Sequence, residues 1–349
     1  MSSPALRVLT VVLAVTFALP VTAQRLCTGD CGGDASVTVD EIVTGTNIAL
    51  GEEDLDQCAA FDRDGGESIQ VDELITGITY ALDGCPLTTV ADAAFWQTLQ
   101  GVRDRQAETI ALYEQTIGTN PTDSRSHFLL AMMHFYRFGR LQEDFESYSE
   151  DAKSEIITAN EELDLAVMYA PDNRAYPGFR GAATYMNGIA HGDTALAEMG
   201  LERLRASITL WPLFNRFSFM GTVAAVAVAG TPLFDESFGY LEDALLPEGL
   251  FECTGRLCGN AGLAPHNLEG SGLLFGDIFA KGGDVVRARG WYQLSVSLGA
   301  GSGWRFAAVS SERLANVEVR IALYQDEDPS NDPLLAGAGA ESCAICHYK

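Results

Sequence analysis

The sequence predicts a mainly α-helical chain in three parts: a small duplicated module, a long irregular helical array and a short C-terminal tail. Three observations carry this expectation. Across residues 90–325 apolar residues recur three and four positions apart, and runs of strict alternation are missing. Residues 27–85 repeat themselves with a period of 32. The chain closes on two cysteines and a histidine within five residues, Cys343-Ala344-Ile345-Cys346-His347.

The first segment reads as an export signal. Arg7 supplies positive charge, residues 8–19 are apolar, Pro20 breaks the run, and Val21-Thr22-Ala23 offers small residues before a cut at Gln24. The run is shorter than a membrane span. No later stretch reaches eighteen uninterrupted apolar residues; residues 219–233 come nearest and read as a buried helix. A soluble, exported chain without a transmembrane span is expected, in the periplasm or outside the cell. The eight cysteines fall into groups of four, two and two. An oxidising compartment makes disulfides the expectation for the first six. Cys27, Cys31, Cys58 and Cys85 allow three pairings, and Cys253 with Cys258 reads as a local staple. The net charge of −26 argues against nucleic acid and anionic membrane surfaces and favours cations or basic proteins.

In the duplicated part, Asp30 maps onto Asp62, Val37 onto Ile69, and Asp40-Glu41 onto Asp72-Glu73. Thr44-Gly45 maps onto Thr76-Gly77, and Ala49-Leu50 onto Ala81-Leu82. Each copy reads as an acidic loop followed by a short amphipathic helix. Counted from the first aspartate, Asp30, Asp34, Ser36, Thr38 and Glu41 fall at positions 1, 5, 7, 9 and 12. Asp62, Asp64, Ser68, Gln70 and Glu73 fall at positions 1, 3, 7, 9 and 12. Calcium is a hard cation that takes six to eight oxygens from such a flexible loop. The pattern resembles paired EF-hand modules and the loop–helix units of dockerins. That resemblance implies up to two weak calcium sites, with Glu41 and Glu73 as terminal carboxylates. It also implies a β-bridge between Val37 and Ile69 at position 8. Three departures matter. Gly32 stands at position 3 of the first loop, Ala35 and Glu67 stand at position 6 where the turn favours glycine, and both loops end in Glu where dockerins end in Asp. The last point argues against a cohesin-like partner.

In the array, Phe275-Gly276, Phe279, Gly283, Ala288, Tyr292 and Ser295 form a large–small pair, aromatic, turn glycine, alanine, aromatic and small residue. This resembles a tetratricopeptide repeat. Small residues let antiparallel helices approach, and aromatics fill the space between pairs. Pro121, Pro171 and Pro212 each close a helix with apolar or small residues five and eight positions earlier. Their spacings of 50 and 41 exceed the usual 34 residues, so the array is irregular. A solenoid of this kind offers a concave surface to a protein partner.

Cys343-x-x-Cys346-His347 is the attachment signature of c-type haem. Two thiols at that spacing each bond one vinyl group, and the next imidazole becomes an axial ligand. His266, in a loop after Pro265, is the first choice for the opposite axial position. His134 falls where a repeat packs a core aromatic. The expected layout is a signal at 1–23, a calcium module at 24–88, helical repeats at 89–330, and a linker with haem tail at 331–349. The expected function is a mono-haem c-type cytochrome engaged in electron transfer or haem-based binding, with a redox or scaffold protein as partner. The alternatives are a non-redox calcium-dependent scaffold and an open-site, peroxidase-like haem enzyme. No arrangement of nucleophile and base points to a hydrolytic catalytic residue.

Overall fold

The computed structural model describes residues 27–63, 66–99, 105–141, 148–244, 268–301, 303–326 and 328–336. The protein is mainly α: the described residues form fourteen α-helices and two 3-10 turns, and none lies in a strand. Among these helices none is long and apolar enough to cross a membrane.

The N-terminal module supplies α1 (Val39–Leu50) and α2 (Val71–Asp83). Each starts where an acidic loop ends. Thr38 accepts from the Glu41 amide at 3.3 Å while the Glu41 carboxylate accepts from the Thr38 amide at 2.7 Å, a reciprocal cap that satisfies two orphan donors. Gly51 stops α1 in the left-handed region, at φ 76°.

The array follows as α3 (Leu87–Leu99), α4 (Gln106–Thr119), α5 (Ser124–Arg140), α6 (Glu150–Tyr169), α7 (Tyr176–His191) and α8 (Thr194–Leu210). It continues as α9 (Pro212–Val226), α10 (Pro232–Ala244), α11 (Leu268–Lys281), α12 (Val285–Gly299), α13 (Ala307–Ala315) and α14 (Val317–Gln325). From α3 to α10, and again from α11 to α14, each helix packs on its neighbour in sequence. Aromatic contacts join the two runs, with Phe217 of α9 against Phe275 of α11 and Phe238 of α10 against Phe279 of α11. Asp123, Ser149, Asp193 and Asp284 cap α5, α6, α8 and α12 through their side-chain oxygens. Pro121, Pro171 and Pro212 each stand two residues beyond a helix end, and Pro212 also opens α9 at its first position, where its missing N–H is not needed. The residues five and eight places before these prolines are core: Tyr113, Thr116, Leu163, Ala166, Leu204 and Ser207 are all buried.

Glycines set how closely the pairs approach. A Cβ on Gly200 of α8 would lie 2.3 Å from the Tyr185 amide nitrogen of α7, and one on Gly188 of α7 would lie 2.3 Å from that of Ala197. α7 and α8 therefore meet backbone to backbone. In the α11–α12 hairpin the same role falls to Gly276, which lies under the Tyr292 ring. The chain turns between these helices at Gly283, with φ 79°.

An acid–tyrosine–arginine trio centred on a buried carboxylate appears near both ends of the array. Asp92 of α3 accepts from Tyr113 Oη of α4 and Arg125 Nη2 of α5, both at 2.8 Å. Asp277 of α11 accepts from Tyr292 Oη of α12 at 2.6 Å and from Arg313 of α13. Buried charge at these sites is tolerated because each carboxylate is paired and hydrogen-bonded. The described chain after α14 packs onto the array. Leu335 and Ala336 are buried and join the core formed by α5 to α14.

Candidate functional site

The two acidic loops are the sequence-predicted site that the described residues cover most fully. In the first, Asp30 is buried, and its carboxylate accepts from the Gly33 amide at 2.6 Å, Asp34 at 3.1 Å and Ala35 at 2.7 Å. The curl this imposes drives Ala35 to φ 66°, and Glu67 at the matching place of the second loop sits at φ 59°. Both non-glycine residues thus adopt the left-handed turn that glycine favours at this position. Burial raises the Asp30 pKa above the ordinary carboxylate value, against the three amides that lower it.

Glu41 closes the loop from the other side. Its Oε1 accepts from the Cys31 and Gly32 amides, each at 2.9 Å. A Cβ placed on Gly32 would lie 3.6 Å from Glu41 Oε1 and 4.0 Å from Asp30 Oδ1. The first and last carboxylates of the loop therefore both face the space beside Gly32. Asp34 turns instead onto Ser36, accepting from its amide at 3.0 Å and its hydroxyl at 2.6 Å. Thr38 Oγ1 donates to Glu41 Oε2 at 3.0 Å. In the second loop Asp62 and Glu73 are buried, and Glu73 accepts from the Arg63 amide and, at 2.8 Å, from the Gln70 amide. Gln70 Nε2 donates to Ser68 Oγ at 2.8 Å. Asp64 lies outside the described residues. The donors are all oxygens, which suits a hard cation. Among the described residues no three His, Cys, Asp or Glu side chains gather into a metal cluster.

Val37 and Ile69 are buried but do not form the expected β-bridge; neither lies in a strand or bridge. The copies are joined otherwise. Gly29 donates its amide to Ala60 O at 3.2 Å, Cys31 pairs with Cys58, and Cys27 pairs with Cys85. Of the three possible connectivities this is the nested one, and it implies an oxidising compartment. Phe61 is fully buried between the copies. Gly29, Gly45 and Gly77 all abut its ring, the last two so closely that a Cβ would fall 2.4 Å from a ring carbon.

Helix amphipathicity would assign the apolar stripes of α1 and α2 to the core. The structure buries Ile48 of α1, covers Ile42 and Leu74 in part, and exposes the rest. Val39, Val43 and Leu50 on α1, and Val71, Ile75, Ile78 and Leu82 on α2, are between 43% and 80% accessible. The core requirement is met instead by Phe61, Ile48 and Ile69. Sequence reasoning missed this surface because spacing alone does not say which apolar face is covered. It also missed Asp277, whose one signal is an acid inside the apolar run at 273–280.

Two histidines are committed to structure. His127 is buried between Glu162 of α6, at 2.5 Å, and Pro121 O, at 3.0 Å. His134 pairs with Glu155 at 2.6 Å, in the packed setting expected for it. His191 is exposed, with Nδ1 2.9 Å from Asn187 O. Cys343, Cys346 and His347, expected to attach haem, His266, expected as its distal ligand, the pair Cys253 and Cys258, and the segment read as an export signal all lie outside the described residues. Comparison with protein-family models, curated proteins and solved structures finds no match to this chain.

Proposed function

We propose that this chain is an exported protein that carries one covalent haem on its C-terminal tail and serves electron transfer or haem-based binding. The observation that carries this reading is Cys343-x-x-Cys346-His347. Two thiols and an adjacent imidazole suit thioether attachment with one axial ligand. The reading gains support from the N-terminal cysteines, which pair among themselves and imply a compartment in which such attachment takes place. When bound, haem would supply reversible one-electron chemistry at iron. Cys343 and Cys346 would hold it covalently, and His347 and His266 would be its iron ligands.

Calcium at the duplicated loops is part of the same proposal, in a stabilising role. Asp30 and Glu41 would supply the charge in the first loop, and Asp62 and Glu73 in the second. Gly32 at position 3 keeps the first site weak, since ligand charge tunes affinity. The helical array would present a surface to a protein partner.

The deciding experiment is mass spectrometry of protein made in a host with c-type haem maturation. One haem mass on the peptide containing Cys343 and Cys346 is expected. An unmodified peptide under proven maturation conditions would turn the assignment to a second reading, a non-redox scaffold. The exposed stripes of α1 and α2 favour that alternative. With fourteen acids against two bases across residues 24–90, the partner of such a face would be an apolar protein surface ringed by basic side chains.

A further inference from the structure

The segment after α14 is held by its backbone, and a buried acid stands at the centre of the holding groups. Asp277 is fully buried. Its Oδ2 accepts from the amide of Ala336 at 2.6 Å and from Arg313, and its Oδ1 accepts from Tyr292 Oη and, at 3.3 Å, from Arg320 Nη2. Arg320 Nη2 in turn donates to Leu334 O at 3.2 Å, and Tyr324 Oη donates to Pro333 O at 2.7 Å. Three strap backbone groups, Pro333 O, Leu334 O and the Ala336 amide, are thereby gripped without reading any strap side chain. Leu335 sinks into the core between them, at 1% exposure. Below the clamp, Asp332 lies 4.0 Å from the buried ammonium of Lys281.

An ion cluster that served packing alone would need only its own side chains. Here the carboxylate that neutralises two arginines also receives a backbone amide from a segment 59 residues away. Six residues, 337–342, separate that amide's residue from Cys343. The held strap is therefore the described segment nearest in sequence to the proposed attachment cysteines.

We infer that Asp277 is a positioning residue: it clamps the C-terminal strap so that the covalently held group stays at the α11–α14 end of the array. This rests on the haem reading for what the tail carries, but the clamp itself does not. A partner would then meet the haem at one end of the helix series, and the duplicated module would be free for other contacts.

The test uses the full, haem-matured chain with Asp277→Asn and Tyr324→Phe. The second variant removes one hydroxyl and no charge, so it keeps the question open if Asp277→Asn fails to fold. Hydrogen exchange of residues 334–336 is the first readout. Both variants should exchange there at least tenfold faster than the parent, with α5 to α8 unchanged. The second readout is line broadening by ferric iron, which should concentrate on α11 to α14 in the parent and weaken there in Tyr324→Phe. Unaltered strap exchange in Tyr324→Phe would overturn the clamp. Broadening spread evenly along the array, or centred on α3 to α5, would overturn the location. A tail that carries no haem mass overturns the haem reading and the location with it, and the exchange measurement still decides the clamp.

Discussion

Replacing glycine by alanine inside a helix should act in opposite directions at two places in this array. Gly200 is buried in α8, and an added Cβ would fall 2.3 Å from the Tyr185 nitrogen and 2.5 Å from its Cα. The obstacle is helix backbone, so α7 and α8 must move apart. Overpacking of this kind costs about 1–3 kcal/mol, with a rigid backbone obstacle placing it at the upper end. The better helix propensity of alanine returns about 1 kcal/mol. A net loss of about 2 kcal/mol is expected. Gly290 is exposed in α12, and an added Cβ meets nothing within 4 Å. Only the propensity gain remains, so Gly290→Ala should stabilise by about 1 kcal/mol. For a domain of this size each kcal/mol moves Tm by roughly 2–4 °C. Scanning calorimetry should show Gly200→Ala falling by roughly 4–8 °C and Gly290→Ala rising by roughly 2–4 °C. Shifts of the same sign, or a neutral Gly200→Ala, would refute the claim that α7 and α8 meet backbone to backbone.

Three other outcomes are expected. Gly32→Asp places a third carboxylate beside Asp30 and Glu41, so calcium affinity measured by calorimetric titration should rise; unchanged or weaker binding would mean that these oxygens do not share an ion. Because burial raises the Asp30 pKa, calcium should stabilise the module less as pH falls into the carboxylate range, and chelator-sensitive melting at acid pH equal to that at neutral pH would contradict this. Burial pushes Lys281 down to about 8, so above that pH the unfolded chain holds a proton that the native chain has released, and stability should rise by roughly 3 kcal/mol toward pH 10. Beyond pH 10 the trend should reverse, because burial holds Tyr185, Tyr292 and Tyr324 above the ordinary value and the unfolded chain ionises first. Urea melts of the parent and Lys281→Met would decide the matter: the variant should lack the rise, and an equal rise in both would acquit Lys281.

Local rules carried much of the fold. Periodicity located the helices, and the prolines at 121, 171 and 212 marked ends that the structure keeps. Gly276 meets Tyr292 across one tight hairpin, because close approach needs a small residue opposite a large one. The loop pattern from Asp30 to Glu41 was legible for the same reason, since cap and curl are short-range. What depends on distant partners was not legible. Whether Ile75 faces a core or water is decided by what covers it, and Phe61 fills the interior that the helix stripes would otherwise occupy. Asp277 takes its meaning from an amide 59 residues away. The expected bridge between Val37 and Ile69 failed because the copies are fastened at their entries, through Cys31–Cys58 and the bond from Gly29 to Ala60.

Phe61 has one more consequence. With a period of 32, the residue in the first copy that corresponds to Phe61 is Gly29, and a Cβ there would fall 2.9 Å from the Phe61 ring. The ring that one copy supplies therefore fills the space that the other leaves vacant. Two second copies would bring two rings to one place, and two first copies would bring none. The halves of the module are lock and key to each other, and a duplicated sequence has become a unit whose parts cannot be exchanged.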